Sequence, residues 1–287
     1  MRVALIGTGL IGNPTVAKLL EANYDLRIYN RTKSKAENLI KDGAKFYADI
    51  PELINDSDVI ISMLSDFDSF AELILDCGIN QFDGKTFIQM STIAPSESLE
   101  LKRRIEKLRG EYIEAPILGS IPQIKIGKLI ILVGSTEKQF AKWNKLFSVL
   151  GNKLLHIGKV GKASAMKLAL NQLIISETAA FSMSLGYVRE NNLDVNQFME
   201  ILRGSALYAP TFDKKLPKML ERNFENPNFP VKHLLKDLEL MLHEFADKKI
   251  NTNVLKGIRK IIINSLENGE GNLDYSAIYN SVHKKKQ

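Results

Sequence analysis

Cysteine is nearly missing from this chain, with Cys77 the single one in 287 residues. One thiol closes no intrachain disulfide, completes no Cys/His zinc pattern and makes no redox dithiol, so disulfide-stapled scaffolds are excluded and a reducing, cytoplasmic setting is expected. Long apolar runs are missing too, since nothing approaches the ~18 uninterrupted residues of a membrane span. Met1-Arg2 leads straight into VALIG, which glycine ends too soon for a secretory signal, and the expectation is a soluble, unprocessed chain. Charge of one sign is not concentrated either. The formal net charge of +6 is mild over this length, and three of the lysines sit in the final HKKKQ, which reads as solvated and frayed. Without a basic stripe interleaved with aromatics, a nucleic-acid partner is not expected, although a small anionic ligand suits the balance. No metal-ligand cluster stands out, and no metal is expected.

What is present is the composition of an ordinary globular protein, with 45% hydrophobic and 25% charged residues. At roughly 150 residues per domain, the length suggests about two domains. The first half alternates short β-branched runs with amphipathic stretches. VALIG is followed by a helix near residues 14–21, LRIYN by one over 34–41, then come DVIISML and TFIQMST, a helix over 96–108, YIEAPIL and LIILVGS. Such alternation predicts crossover units and a largely parallel, doubly wound α/β sheet. After Gly158 the apolar residues recur at helical spacing instead. Met166, Leu170, Leu173, Ile174, Ala180 and Leu185 fit one long helix, with further helices around 198–202, 234–245 and 254–266. Pro210, Pro217, Pro227 and Pro230 predict loops and short helices between them. The expected division is 1–158 for the α/β domain and 159–287 for an all-α domain.

VALIGTGLIG ends a strand with Gly7, Gly9 and Gly12 in GxGxxG spacing and opens a helix, the arrangement of a dinucleotide site. Gly7 makes the tight turn, Gly9 lets the backbone approach a pyrophosphate, and Gly12 lets the helix sit close to the sheet. Leu10 and Ile11 complete this cofactor loop, and the helix N-terminus faces the phosphates. At the tip of the second strand, where a carboxylate would bind the adenine ribose of NAD, stand Asn30, Arg31 and Thr32. Arg31 is able to fork onto a 2′-phosphate, with Thr32, Lys33 and Lys35 nearby, so NADP(H) is expected. A charge-assisted hydrogen bond of about 1.5 to 3 kcal/mol supports roughly ten- to hundredfold preference. Met63, Leu64 and Ser65 follow DVIIS at a carboxyl end, where the cofactor should pass.

Beyond GTGLIG, the stretches QMSTIAPSES, EAPILGSIPQIKIGKLIILVGS, GKVGKASAMKLALNQ, FPVKHLLKDLELML and GNLDYSAI occur in an order and at spacings that resemble the β-hydroxyacid dehydrogenases end to end. That group includes 3-hydroxyisobutyrate dehydrogenase and the glyoxylate/succinic semialdehyde reductases. The resemblance implies a 6-phosphogluconate dehydrogenase-like fold, a Rossmann domain followed by a helical one that also pairs subunits, hence a homodimer or homotetramer. It places the catalytic lysine at Lys167, with Asn171 four residues on, on the same helix face. It also puts Thr92 in a loop touching substrate and nicotinamide. Lys236 and Asp237 would reach the cleft from the α-domain, Lys236 toward the cofactor and Asp237 toward the substrate, and Phe229 would form an apolar wall. In EAPILGS the sequence departs from the pattern, because Leu118 stands where relatives commonly carry a substrate-binding serine. Gly119 and Ser120 remain as polar anchors, and a leucine at 118 favours a more apolar or differently oriented substrate.

The function expected is NADP(H)-dependent reduction of a small aldehyde or 2-oxoacid, of the glyoxylate or succinic semialdehyde type, with the Lys167 ammonium as general acid. Three alternatives stand beside it. An NAD-dependent 3-hydroxyacid dehydrogenase is opposed by Arg31 and the absent carboxylate. An imine reductase is favoured by Leu118, but that branch generally replaces the lysine. A non-catalytic cofactor-binding scaffold is opposed by the joint presence of Lys167, Asn171 and Lys236.

Overall fold

The computed structural model describes residues 1–284. It divides into two compact units, the first running from Met1 to Leu168 and the second beginning at Ala169. The expected boundary at 158 coincides with the last residue of a strand, and the division between units comes later, inside the helix Lys162–Glu190.

The first unit is built on one sheet. Its strands are β1 (Arg2–Ile6), β2 (Asp25–Tyr29), β3 (Lys45–Phe46), β4 (Val59–Ser62), β5 (Thr86–Gln89), β6 (Glu111–Glu114), β7 (Ile117–Leu118), β8 (Leu129–Gly134) and β9 (Gly151–Gly158). The order is β3-β2-β1-β4-β5-β6-β8-β7, with β9 added beside β8. The first six are parallel, in the doubly wound order that reverses direction at β1 and β4. The central strands are buried on both sides, which explains their nearly continuous apolar runs. Alternate residues part to opposite faces. Val3, Leu5, Val59, Ile61, Ile88 and Ile113 join the core under the helices Gly12–Glu21 and Glu137–Leu150, whereas Ala4, Ile6, Ile60, Phe87 and Tyr112 join the one under Ile50–Asn55 and Pro95–Lys107. Each large side chain removed from water contributes roughly 1.5–3 kcal/mol, so the two-sided core fixes strand register.

β9 lies outside the sequence expectation. NKLLHIG carries a single β-branched residue and stays partly exposed, and it is ordered by pairing along β8 rather than by its own propensity.

The second unit is helical. The helix Lys162–Glu190 runs for 29 residues and is followed by Val195–Arg203, Pro210–Glu221, Val231–Asp247 and Asn253–Glu267. The proline-rich region differs from expectation, because Pro210–Glu221 is a regular twelve-residue helix with Pro217 in its interior. Pro210 suits the first turn, where no N–H partner is needed, and burial of Phe212, Lys215 and Met219 outweighs the hydrogen bond that Pro217 forgoes. Lys215 is held by Asp274, its Nζ 2.8 Å from each carboxylate oxygen, with Tyr275 beneath the ammonium. The expected fraying does not begin at His283, whose ring pairs with Glu190 at 2.7 Å and also meets Arg222 and Tyr279. The remainder of that tail, Lys285 to Gln287, lies outside the described residues. No described helix is long and apolar enough to cross a membrane.

Candidate active site

The glycine loop leaves β1 with the geometry its spacing predicts. Gly7 has φ +100, and a Cβ there would fall 2.7 Å from the Met63 carbonyl oxygen. A Cβ on Gly12 would overlap the Gly7 carbonyl at 1.8 Å, so the helix Gly12–Glu21 reaches the strand only as glycine. Gly9 is different, since nothing lies within 4 Å of the position its Cβ would take. That open side is where a pyrophosphate needs room. The helix behind it has no side-chain cap at Ile11 and no acidic residue in its first turn, so its amide dipoles stay available to an anion. Thr8 Oγ1 is buried without a partner in the same loop. Open space, uncapped amides and an orphaned hydroxyl together fit a dinucleotide phosphate.

Asn30 acts inside this loop. Its Oδ1 accepts the Thr8 N–H at 3.2 Å and its Nδ2 donates to the Thr32 carbonyl at 2.8 Å, tying the glycine turn to the tip of β2. Arg31, Thr32, Lys33 and Lys35 are left exposed around that tip. Met63 and Leu64 are half-buried beyond β4, and Leu10 is exposed on the loop. Ser62 Oγ and Gln89 Nε2, registered opposite each other at the ends of β4 and β5, are further buried polar atoms without partners. Thr92 is half-buried between β5 and the helix Pro95–Lys107.

On the far strands, Leu118 sits half-buried in β7, paired with Ile130. Gly119 has φ +124, and a Cβ would lie 2.8 Å from the Leu129 side chain. Ser120 is already engaged. Its N–H and its hydroxyl both donate to Gln123 Oε1, at 3.0 and 2.9 Å, so an anion at Ser120 competes with Gln123.

Lys167 is buried on the helix Lys162–Glu190, one turn before Asn171. In the second unit, Asn171 Nδ2 donates to Asp237 Oδ2 at 2.7 Å, and Lys236 Nζ reaches Asp237 Oδ1 at 2.9 Å. Asp237 is only 2% exposed, and both its oxygens are used. Asn171 Oδ1 is the exception, buried and unpartnered. Phe229 faces His233 and Tyr275 beside the start of the helix Val231–Asp247. The KD pair is therefore a positioned polar group rather than two solvated charges.

Sequence reasoning passed over Glu114, Ser164, Gln123 and Gly134. Glu114 and Ser164 are 2.6 Å apart although fifty positions separate them, a contact that no local spacing encodes. The only local signal was an acidic residue at the end of a buried strand. Among the described residues no group of three or more His, Cys, Asp or Glu side chains gathers in a metal-binding arrangement.

A doubly wound unit with an open glycine loop, followed by a helical unit in which buried Asn171 and Asp237 meet the half-buried Lys236, fits a nicotinamide-dinucleotide oxidoreductase. Residues 2–158 match the family model described as the NAD binding domain of 6-phosphogluconate dehydrogenase, and residues 161–282 match that described as the NAD-binding of NADP-dependent 3-hydroxyisobutyrate dehydrogenase. The chain belongs to the β-hydroxyacid dehydrogenase family. It is 30% identical over 285 residues to glyoxylate/succinic semialdehyde reductase 1 of Arabidopsis thaliana, covering 98% of each chain. It is 27% identical to 2-hydroxy-3-oxopropionate reductase of Escherichia coli, over 98% of this chain and 97% of that one. Its fold is similar to that of 3-hydroxyisobutyrate dehydrogenase from Mycobacterium tuberculosis, solved with L-serine, at a TM-score of 0.86 and 20% identity over 98% of each chain.

Proposed function

We propose that this oxidoreductase uses NADP(H) to reduce a small aldehyde or 2-oxoacid, of the glyoxylate or succinic semialdehyde type, to the corresponding hydroxyacid. The observation that carries the reading is the pairing of a buried lysine with a held asparagine on successive turns of one helix. Asp237 fixes the Asn171 carboxamide through Nδ2, so Oδ1 is presented as a preset acceptor for a substrate hydroxyl or an ammonium. Lys167 then delivers its proton to the carbonyl oxygen as that oxygen gains charge, and deprotonates the alcohol in reverse. The bound dinucleotide supplies the hydride. In balance, carbonyl carbon takes the hydride, oxygen takes the lysine proton, and the lysine is reprotonated from solvent.

The cofactor preference is supported by Asn30. Its carboxamide is turned inward onto Thr8 and Thr32, which leaves Arg31 and the Thr32 hydroxyl for the ribose, and no carboxylate stands there to reject a 2′-phosphate. A second reading, reduction of a cyclic imine, is favoured by Leu118 and by the engagement of Ser120 with Gln123, both of which weaken an anion site beside β7. Turnover of NADPH and NADH against glyoxylate, succinic semialdehyde, a branched semialdehyde and a cyclic imine tests both. Reduction of a carboxylated aldehyde with NADPH supports the first reading. Turnover of the imine alone would replace it with the second.

A further inference from the structure

Glu114 ends β6 and is buried, at 1% exposure. Its Oε1 accepts the N–H groups of Gly161 and Ala163 at 2.7 and 2.8 Å, and its Oε2 accepts the hydroxyls of Ser98 and Ser164, both at 2.6 Å. Tyr112 lies 3.0 Å from Ser98 Oγ and donates to it, because the Ser98 proton is committed to the carboxylate. With the Ser164 N–H also 3.4 Å from Oε1, five donors converge on a group that only accepts.

Three of these donors are the N–H groups of Gly161, just before the helix Lys162–Glu190, and of Ala163 and Ser164 in its first turn, where a helix leaves its amides without intrahelical acceptors. A carboxylate at that end also faces the positive pole of the helix dipole. An ordinary N-cap comes from the residue just before the helix and moves with its own loop. Here the acceptor comes from the sheet, 47 to 50 positions earlier, so the helix start is fixed to the carboxyl end of β6. Room for it depends on Gly134, which is registered opposite Glu114 on β8, where a Cβ would fall 2.2 Å from Oε1.

Lys167 stands one turn beyond Ser164, still within the first unit. We propose that Glu114 is a positioning residue for Lys167, setting the axial and rotational placement of the helix and thereby where the ammonium stands relative to the carboxyl edge of the sheet. This rests on the reading of Lys167 as general acid. Shortening the side chain in Glu114→Asp withdraws the acceptor. Glu114→Gln keeps the reach, since its Oε1 still accepts the three amides and its Nε2 donates to the serine hydroxyls, which can turn.

The test compares both variants by steady-state kinetics and by the Cε resonance of Lys167 in lysine-labelled protein, assigned with Lys167→Arg. Glu114→Asp is expected to lower kcat about 10- to 100-fold, with KM for NADPH unchanged and the Lys167 resonance displaced, while Glu114→Gln restores most of both. An Asp variant that melts earlier but keeps kcat and the Lys167 resonance overturns the proposal, leaving Glu114 as a cap and nothing more. If the unaltered chain reduces no carbonyl, the general-acid reading has failed, and the resonance alone decides the positioning claim. Should Glu114→Asp not fold, Ser164→Ala removes one donor without touching the backbone, and the same two measurements decide.

Discussion

Single atoms decide the most at the ends of the strands. Gly134 has no substitute, because the Glu114 carboxylate occupies the space a methyl group would need. Gly134→Ala is expected to destabilise the protein by about 1–3 kcal/mol, as overpacking of a filled interior does. Denaturant unfolding measures it, and an unchanged midpoint would mean that β6 and β8 can separate without loss. At the tip of β2, Arg31 is exposed, and the proposed use of NADP(H) gives its guanidinium one task, recognition of a 2′-phosphate. Arg31→Ala should therefore lower kcat/KM for NADPH by roughly ten- to hundredfold while leaving NADH nearly unchanged. Equal loss with both cofactors would assign Arg31 to the loop's structure instead.

Among the elements, the starts of the first strands are joined by Asp56, which closes the helix Ile50–Asn55. It meets Tyr47, Arg27 from β2, Arg2 from β1 and Lys45 from β3. The hydroxyl of Tyr47, then the guanidinium of Arg27, hold its carboxyl well below the usual carboxylate range. Its folded pKa lies under its unfolded one, so the stability it lends is complete above the unfolded value of about 3.9 and is lost as pH falls through the folded value. Asp56→Asn should lower stability at neutral pH and flatten the acid limb of a stability-versus-pH curve. A parallel displacement of the whole curve would contradict this origin.

The sequence made the elements with strong local codes readable. Burial on both faces of β1, β4 and β5 left near-continuous apolar runs in VALIG, DVIIS and TFIQ, and the glycine loop was legible because Gly7 and Gly12 answer separate steric demands while Gly9 keeps one side open. β9 was not, since its order comes from a neighbour. Neither was the helix through Pro217, whose buried face outweighs one missing hydrogen bond. Lys167 became a candidate through family resemblance rather than chemistry, as lysine is mostly a surface residue. The structure adds what spacing could not, namely its burial, the hold of Asp237 on Asn171, and Glu114 at the helix start.

For the molecule as a whole, a dinucleotide that binds only the folded chain must raise its stability. At a concentration a hundred times its Kd the gain is about 2.7 kcal/mol, which for a protein of this size moves Tm by several degrees, about 2–4 °C for each kcal/mol. NADP+ should produce a larger shift than NAD+ at equal concentration, and the reverse order would refute the reading of Arg31. The central claim concerns Lys167, and one paired measurement addresses it: carbonyl-dependent loss of NADPH absorbance by the unaltered protein and by Lys167→Ala, with NADPH affinity measured on both. Turnover of a carboxylated aldehyde is expected to fall by about 10² to 10⁴ in the variant while its NADPH affinity is retained. Turnover that survives the loss of Lys167 would show that the proton comes from elsewhere and that Lys167 is not the general acid.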